Sequence, residues 1–213
     1  MNKLRLIFTK GEGTRYIGHL DVLRTFVRAI RRAGMPVKYS EGFNPHAVMT
    51  FALPLGVGVT SECEVVDITM VEYVPVEEVI KKVNENLPSD GLQILSGEYT
   101  NKPYPEIEKA EYYITIKTNS PMDMESVKNA LSSEEILVEK KTKKKITEIN
   151  IMEHIFESEI LDFADDWVKI RVIVSAGSKY NIKPQLVVDA IKKAAGLDIS
   201  YALPHRKKFI SAK

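Results

Sequence analysis

A single cysteine, Cys63, stands in the 213-residue sequence. An internal disulfide is therefore excluded, and a reducing cytoplasm is the natural setting for such sparing use. There is no run of eighteen apolar residues, so no segment is expected to span a membrane. The N-terminus, MNKLRLIFTKGEG, goes straight into an alternating pattern and shows neither an apolar signal core nor a cleavage site. A phosphate-loop pattern is also missing: Lys10 to Arg15, KGEGTR, has two glycines but lacks the GxxxxGK[ST] spacing and reads as a turn. What remains is 44% apolar, enough for the core of one domain or two small ones.

The net charge of +1 conceals a segregation. Residues 1–50 carry nine Lys/Arg against three acids, and residues 51–139 carry six against seventeen. A lysine run, Lys140 to Lys145 (KKTKKK), then precedes a nearly balanced remainder, in which His205-Arg206-Lys207-Lys208 forms a second basic cluster. Blocks of this kind create local fields that the total hides. The positive N-terminal block suits a polyanion, and the acidic middle suits a basic protein partner.

Hydrophobic periodicity gives the element order. Leu4, Leu6 and Phe8 alternate as a strand, and Gly18 to Ala33 reads as a helix with Leu20, Leu23, Phe26, Val27 and Ile30 on its apolar stripe. Gly34 ends that helix and Pro36 prevents its return. Short strands at 37–39 and 48–53 flank the loop Glu41-Gly42-Phe43-Asn44-Pro45-His46, and residues 62–70 alternate again. A second helix at 76–87 and a strand at 92–96 complete the order β-α-β-β-α-β. The segment 98–107, EYTNKPYPEI, has two prolines and no period, as expected of a linker. The same order then recurs: strand 110–118, helix 124–131, strands within 136–160, strand 167–175, helix 184–195 and strand 199–210. The expected class is α+β, with two ferredoxin-like halves, residues 1–100 and 108–213, each built on an antiparallel sheet.

The chemistry-bearing residues concentrate in the first half. Arg24, Arg28, Arg31 and Arg32 share one helix, with Arg15 just before it. Guanidinium groups fork onto phosphate oxygens through paired hydrogen bonds, and each phosphate contact adds to the salt dependence of binding. The loop after the helix offers an aromatic ring on Phe43 for a base, an amide on Asn44 for a base edge and an imidazole on His46. The bland alternatives are a solvated helix face, and a hairpin tip with Phe43 tucked into the core. His19 and His46 also permit general acid–base cleavage of RNA, with one imidazole taking the 2′-hydroxyl proton. No HxxxH or HxH spacing is present, so neither a metal nor a cofactor is expected.

Five stretches carry a family resemblance: Arg15-Tyr16-Ile17-Gly18-His19-Leu20-Asp21, Arg28 to Ala33, Ser40 to His46, Phe51 to Leu55, and Ser61 to Asp67. Together they resemble the radical-SAM-linked proteins, a family of unknown function whose members stand alone or follow a B12-binding-type radical SAM protein. The resemblance implies a radical SAM partner. The chain is not that enzyme, because the iron–sulfur cluster needs three cysteines spaced CxxxCxxC. The expectation is a non-catalytic, cytoplasmic accessory module that binds RNA or presents a substrate. Arg15, Arg24, Arg28, Arg31, Arg32, Phe43, Asn44 and His46 would contact nucleic acid or phosphate. A protein-only docking module and a metal-independent endoribonuclease using His19 and His46 are the alternatives.

Overall fold

Alternation along the first strand places Leu4, Leu6 and Phe8 in the core, and the helices pack on that face of the sheet. The computed structural model describes residues 2–141, 146–178 and 180–211. The chain divides into two units, Met1–Pro105 and Glu106–Lys213. Both are α+β with antiparallel strand pairing, and among the described residues no helix is long and apolar enough to cross a membrane.

The first unit runs β1 (Asn2–Lys10), α1 (His19–Arg32), β2 (Met49–Phe51), β3 (Thr60–Met70), α2 (Val76–Asn84) and β4 (Leu92–Tyr99). Its strands lie in the order β4-β1-β3-β2, with every neighbouring pair antiparallel. Residues 37–39, expected as a strand, form only isolated bridges, Val37 to Met70 and Tyr39 to Ala47. The core gathers Phe8, Phe26, Ile30, Val66, Ile68, Val79 and Val83. On the opposite face Arg5 pairs across strands with Asp67 through two hydrogen bonds of 2.7 and 2.8 Å. Tyr104, from the segment after β4, places its ring 5.0 Å from that guanidinium.

The second unit comprises β5 (Ile107–Thr118), α3 (Met124–Leu131), β6 (Leu137–Lys141), β7 (Ile146–Asn150), β8 (Ile155–Ala164), β9 (Trp167–Ser175), α4 (Pro184–Ala195) and β10 (Ile199–Ser211). The order across its main sheet is β10-β5-β9-β8, and β6 and β7 pair separately as a two-stranded ribbon. Asp123 caps α3 by accepting from the Ser126 N–H at 2.9 Å, and Pro184 opens α4, where its missing N–H costs nothing.

One buried carboxylate organises this sheet. Glu111 on β5 accepts from Arg171 on β9 at 2.8 Å, while the Lys208 ammonium on β10 lies 3.0 Å from its other oxygen in ion-pair rather than hydrogen-bond geometry. Burial alone would raise the Glu111 pKa, but the two cations outweigh it and hold the carboxyl below its ordinary value. Glu111→Ala should lower the stability of this unit by about 1.5–3 kcal/mol at pH 7, because it removes the hydrogen bond between the buried carboxylate and the Arg171 guanidinium. A carboxyl with a depressed folded pKa contributes stability above its unfolded value, near 4.3, and loses it as pH falls through the folded one. Urea titrations at pH 7 and pH 3 check this, and the deficit should shrink at the lower pH.

Candidate nucleic-acid interface

Helix α1 sets where the arginines point. Its buried residues are Val22, Phe26, Ala29 and Ile30, whereas Leu20 is 63% exposed. The apolar stripe expected at 20, 23, 27 and 30 is thus rotated by about one position. Leu20 is the first apolar residue of the helix, but the core begins at Val22, and Phe26 packs against Phe8 and Phe51. Rotating the stripe leaves Arg24, Arg28, Arg31 and Arg32 exposed. Arg24 pairs with Asp21 at 3.2 Å, a solvent-exposed contact of about 0–1 kcal/mol. Among the described residues, Arg28, Arg31 and Arg32 meet no carboxylate within ion-pairing distance. Arg31 and Arg32 occupy the last turn, where positive charge favours the helix dipole.

Beside α1 lies a groove of about 460 Å³. Thr25, Arg28 and Arg32 form one wall, and Glu85, Asn86, Leu87 and Pro88 form the other. The sequence suggested nothing about the 85–88 wall. Its Asn86 side chain is fixed by a bond to the Lys82 carbonyl, and Leu87 is buried beneath. Two guanidiniums thus flank a polar recess open to solvent.

The 40–46 loop is a closed turn. The Ser40 N–H donates to the His46 carbonyl at 2.9 Å, the His46 N–H donates to Ser40 Oγ at 3.1 Å, and Ser40 Oγ lies 2.8 Å from His46 Nδ1. Gly42, at φ +113°, adopts a conformation that side chains resist. Residues 41–46 are all exposed, and Phe43 is 105% exposed. The ring is therefore not tucked into the core. Phe43, Asn44 and His46 do not line the arginine groove; turn and groove are separate features of the same unit.

Arg15 departs from expectation. Its side chain is 4% exposed, its guanidinium makes a bidentate pair with Glu12, and it also donates to the Gly58 carbonyl at 3.0 Å. It holds two loops together and presents nothing to a ligand. His19 stands edge-on to Phe51, with ring centroids 5.0 Å apart, beside a void of about 10 Å³ that Lys10 and Glu64 also line. His46 is at the turn. Neither the arginine groove nor this void is lined by both histidines.

Lys10 and Glu64 are buried charged residues that were not singled out from sequence. A signal existed. Lys10 continues the inward register of Leu4, Leu6 and Phe8, and Glu64 that of Val66, Ile68 and Met70. The Lys10 ammonium donates to the carbonyls of Arg15 (2.9 Å), Val59 (3.1 Å) and Gly56 (3.4 Å).

The other basic clusters are less available than their sequence suggests. In the lysine run, Thr142 to Lys145 and the Lys141 side chain lie outside the described residues. Lys140 sits 3.5 Å from the centroid of the Tyr180 ring, and burial lowers its pKa. His205 to Lys208 lie within β10, where Arg206 is buried and donates to the Tyr112 hydroxyl at 3.0 Å and Lys208 pairs with Glu111.

These placements separate structural from presented arginines. Arg15→Ala should destabilise the first unit by about 2–4 kcal/mol, as loss of a buried, hydrogen-bonded charge does. Alanine at Arg28, Arg31 or Arg32 should change stability by no more than about 0.5 kcal/mol each. Thermal or urea unfolding of the four variants measures the contrast.

Comparison with known proteins adds fold likeness and a family. No curated protein matches the chain. A chain of a Cbf5-Nop10-Gar1 complex aligns at TM-score 0.52 and 11% identity, covering 95% of this chain and 48% of that one. A chain of an H/ACA RNP bound to a substrate RNA containing 2′-deoxyuridine also aligns at TM-score 0.52 and 11% identity, over 95% of this chain and 47% of that one. The archaeal box H/ACA sRNP Nop10-Cbf5 complex gives 0.50 and 12%, with coverages of 95% and 47%. The chain therefore spans about half the length of these solved chains, and at such identities the likeness is one of fold. A family model matches residues 3–184, including α1, the turn and the arginine groove. The chain thus belongs to the family described as an uncharacterized protein conserved in bacteria, DUF2344.

Proposed function

We propose that this chain is a non-catalytic accessory module that binds RNA and presents it to a radical SAM partner. The observation that carries the reading is the pairing, within one unit, of three α1 guanidiniums that meet no carboxylate among the described residues with a closed turn that holds an aromatic ring in solvent. Arg28 and Arg32 offer the groove two guanidiniums for a phosphodiester backbone against the single carboxylate of Glu85, and Arg31 extends the positive strip. Arg24 joins at little cost, because its exposed pair with Asp21 is weak. Phe43, Asn44 and His46 supply contacts to bases. Arg15, being buried, plays no part.

Two further strands of the reading rest on likeness. The strand orders β4-β1-β3-β2 and β10-β5-β9-β8 support reading each unit as ferredoxin-like, the second with the β6–β7 ribbon inserted. A solved chain from an H/ACA RNP bound to a substrate RNA resembles this chain in fold, which agrees with RNA as ligand. The radical SAM partner comes from the resemblance of residues 15–21, 28–33, 40–46, 51–55 and 61–67 to proteins linked to such enzymes.

Filter binding of total cellular RNA across 50–200 mM salt tests the proposal. Binding should weaken steeply as salt rises. The triple variant Arg28→Ala/Arg31→Ala/Arg32→Ala should flatten the log K against log salt slope by about 2, at roughly 0.7 per lost contact to a single strand. No binding at 50 mM salt, or an unchanged slope in the variant, overturns it. If the variant instead loses a radical SAM protein in a pull-down with RNA binding intact, the helix is a protein-docking face.

A further inference from the structure

We infer that the 40–46 turn captures an unpaired, unstacked base of single-stranded RNA on the ring of Phe43. This rests on the RNA-binding reading and narrows it to a ligand class. The ring is fully exposed although the turn beneath it is fixed. Three contacts between Ser40 and His46 close its base, the Tyr39–Ala47 bridge continues it, and Pro45 restricts its descending arm. A slack loop would let the ring fold back onto apolar surface. Here the backbone holds it out, and among the described residues Phe43 makes no aromatic or cation contact. Between Ser40 and His46 it is the one large apolar side chain, set among Glu41, Asn44 and His46.

That setting discriminates between ligands. A protein partner is usually anchored by a packed cluster of apolar side chains rather than by one ring on a polar tip. A base has an exposed π-face of matching size, and stacking tolerates any sequence. Bases in an A-form duplex are already stacked on their neighbours, and the major groove is too narrow to admit a side chain. Only an unpaired base offers its face. Asn44, next to the ring, is exposed, and its side-chain amide makes no hydrogen bond among the described residues. It brings both a donor and an acceptor to a base edge. Because the turn is already ordered, binding need not order it.

Fluorescence anisotropy with a labelled 12-nucleotide single strand and the same strand in an RNA duplex tests the inference, using the full chain. The single strand should bind at least about tenfold more tightly than the duplex. Phe43→Leu should weaken the single strand about tenfold and leave the duplex and the salt slope unchanged. Phe43→Trp should retain affinity. It should also lose tryptophan emission on adding the single strand, beyond any change from Trp167 in the wild type. The position is fully exposed, so neither substitution threatens folding. Equal affinity for strand and duplex, or no effect of Phe43→Leu, overturns the inference and leaves the RNA-binding reading standing. Binding of neither RNA form at 50 mM salt overturns both.

Discussion

The Lys10 ammonium is the point on which the first unit turns. Burying it costs several kcal/mol unless its hydrogens are satisfied, and the carbonyls of Arg15, Gly56 and Val59 satisfy them. Those carbonyls belong to the loop before α1 and the loop before β3. The Arg15 guanidinium reinforces the same junction by donating to Gly58, whose N–H donates back to the Arg15 carbonyl. Two charged side chains thus fix where α1 begins. From that origin the helical repeat dictates which residues enter the core, and so which way Arg28, Arg31 and Arg32 face.

Presented and structural charge are distributed by the same logic. Arg15, Arg5, Arg206 and Glu111 lie where removing water is costly, and each has geometry that repays the cost. The α1 arginines lie where water is plentiful and a partner is not required. The turn follows a parallel rule for apolar surface. Its backbone is satisfied internally, while its one large apolar group is left in solvent. Charge that meets no carboxylate among the described residues, and a ring held in solvent by a closed turn, do little for folding.

Most of the fold was legible because it is written in periodicity. The helices at 124–131 and 184–195 and the strand at 167–175 have the boundaries expected, since Pro184 and alternation leave little choice. Strand 62–70 lengthened to 60–70 and strand 92–96 to 92–99, because pairing with β1 continues beyond the alternating residues. The 37–39 segment failed as a strand because it bridges β3 only at that strand's last residue, Met70. In the site, the loop and the arginines were legible as polar, cationic sequence. The fate of Arg15 was not, because a guanidinium beside glycines looks the same whether it faces solvent or a carbonyl. The wall at 85–88 was invisible as well, being formed by residues about sixty positions from the arginines.

By itself, then, the sequence determined the elements, their order and the residue types offered to a partner, because these depend on local repeat and composition. Tertiary structure alone decided which guanidiniums are bound into loops and which stay in solvent, that Phe43 stands in water, and that Lys10 and Glu64 lie inside. The reason is physical. Burial and hydrogen-bond partnership depend on distances between segments remote in sequence, and a one-residue rotation of a helix exchanges a core side chain for an exposed one.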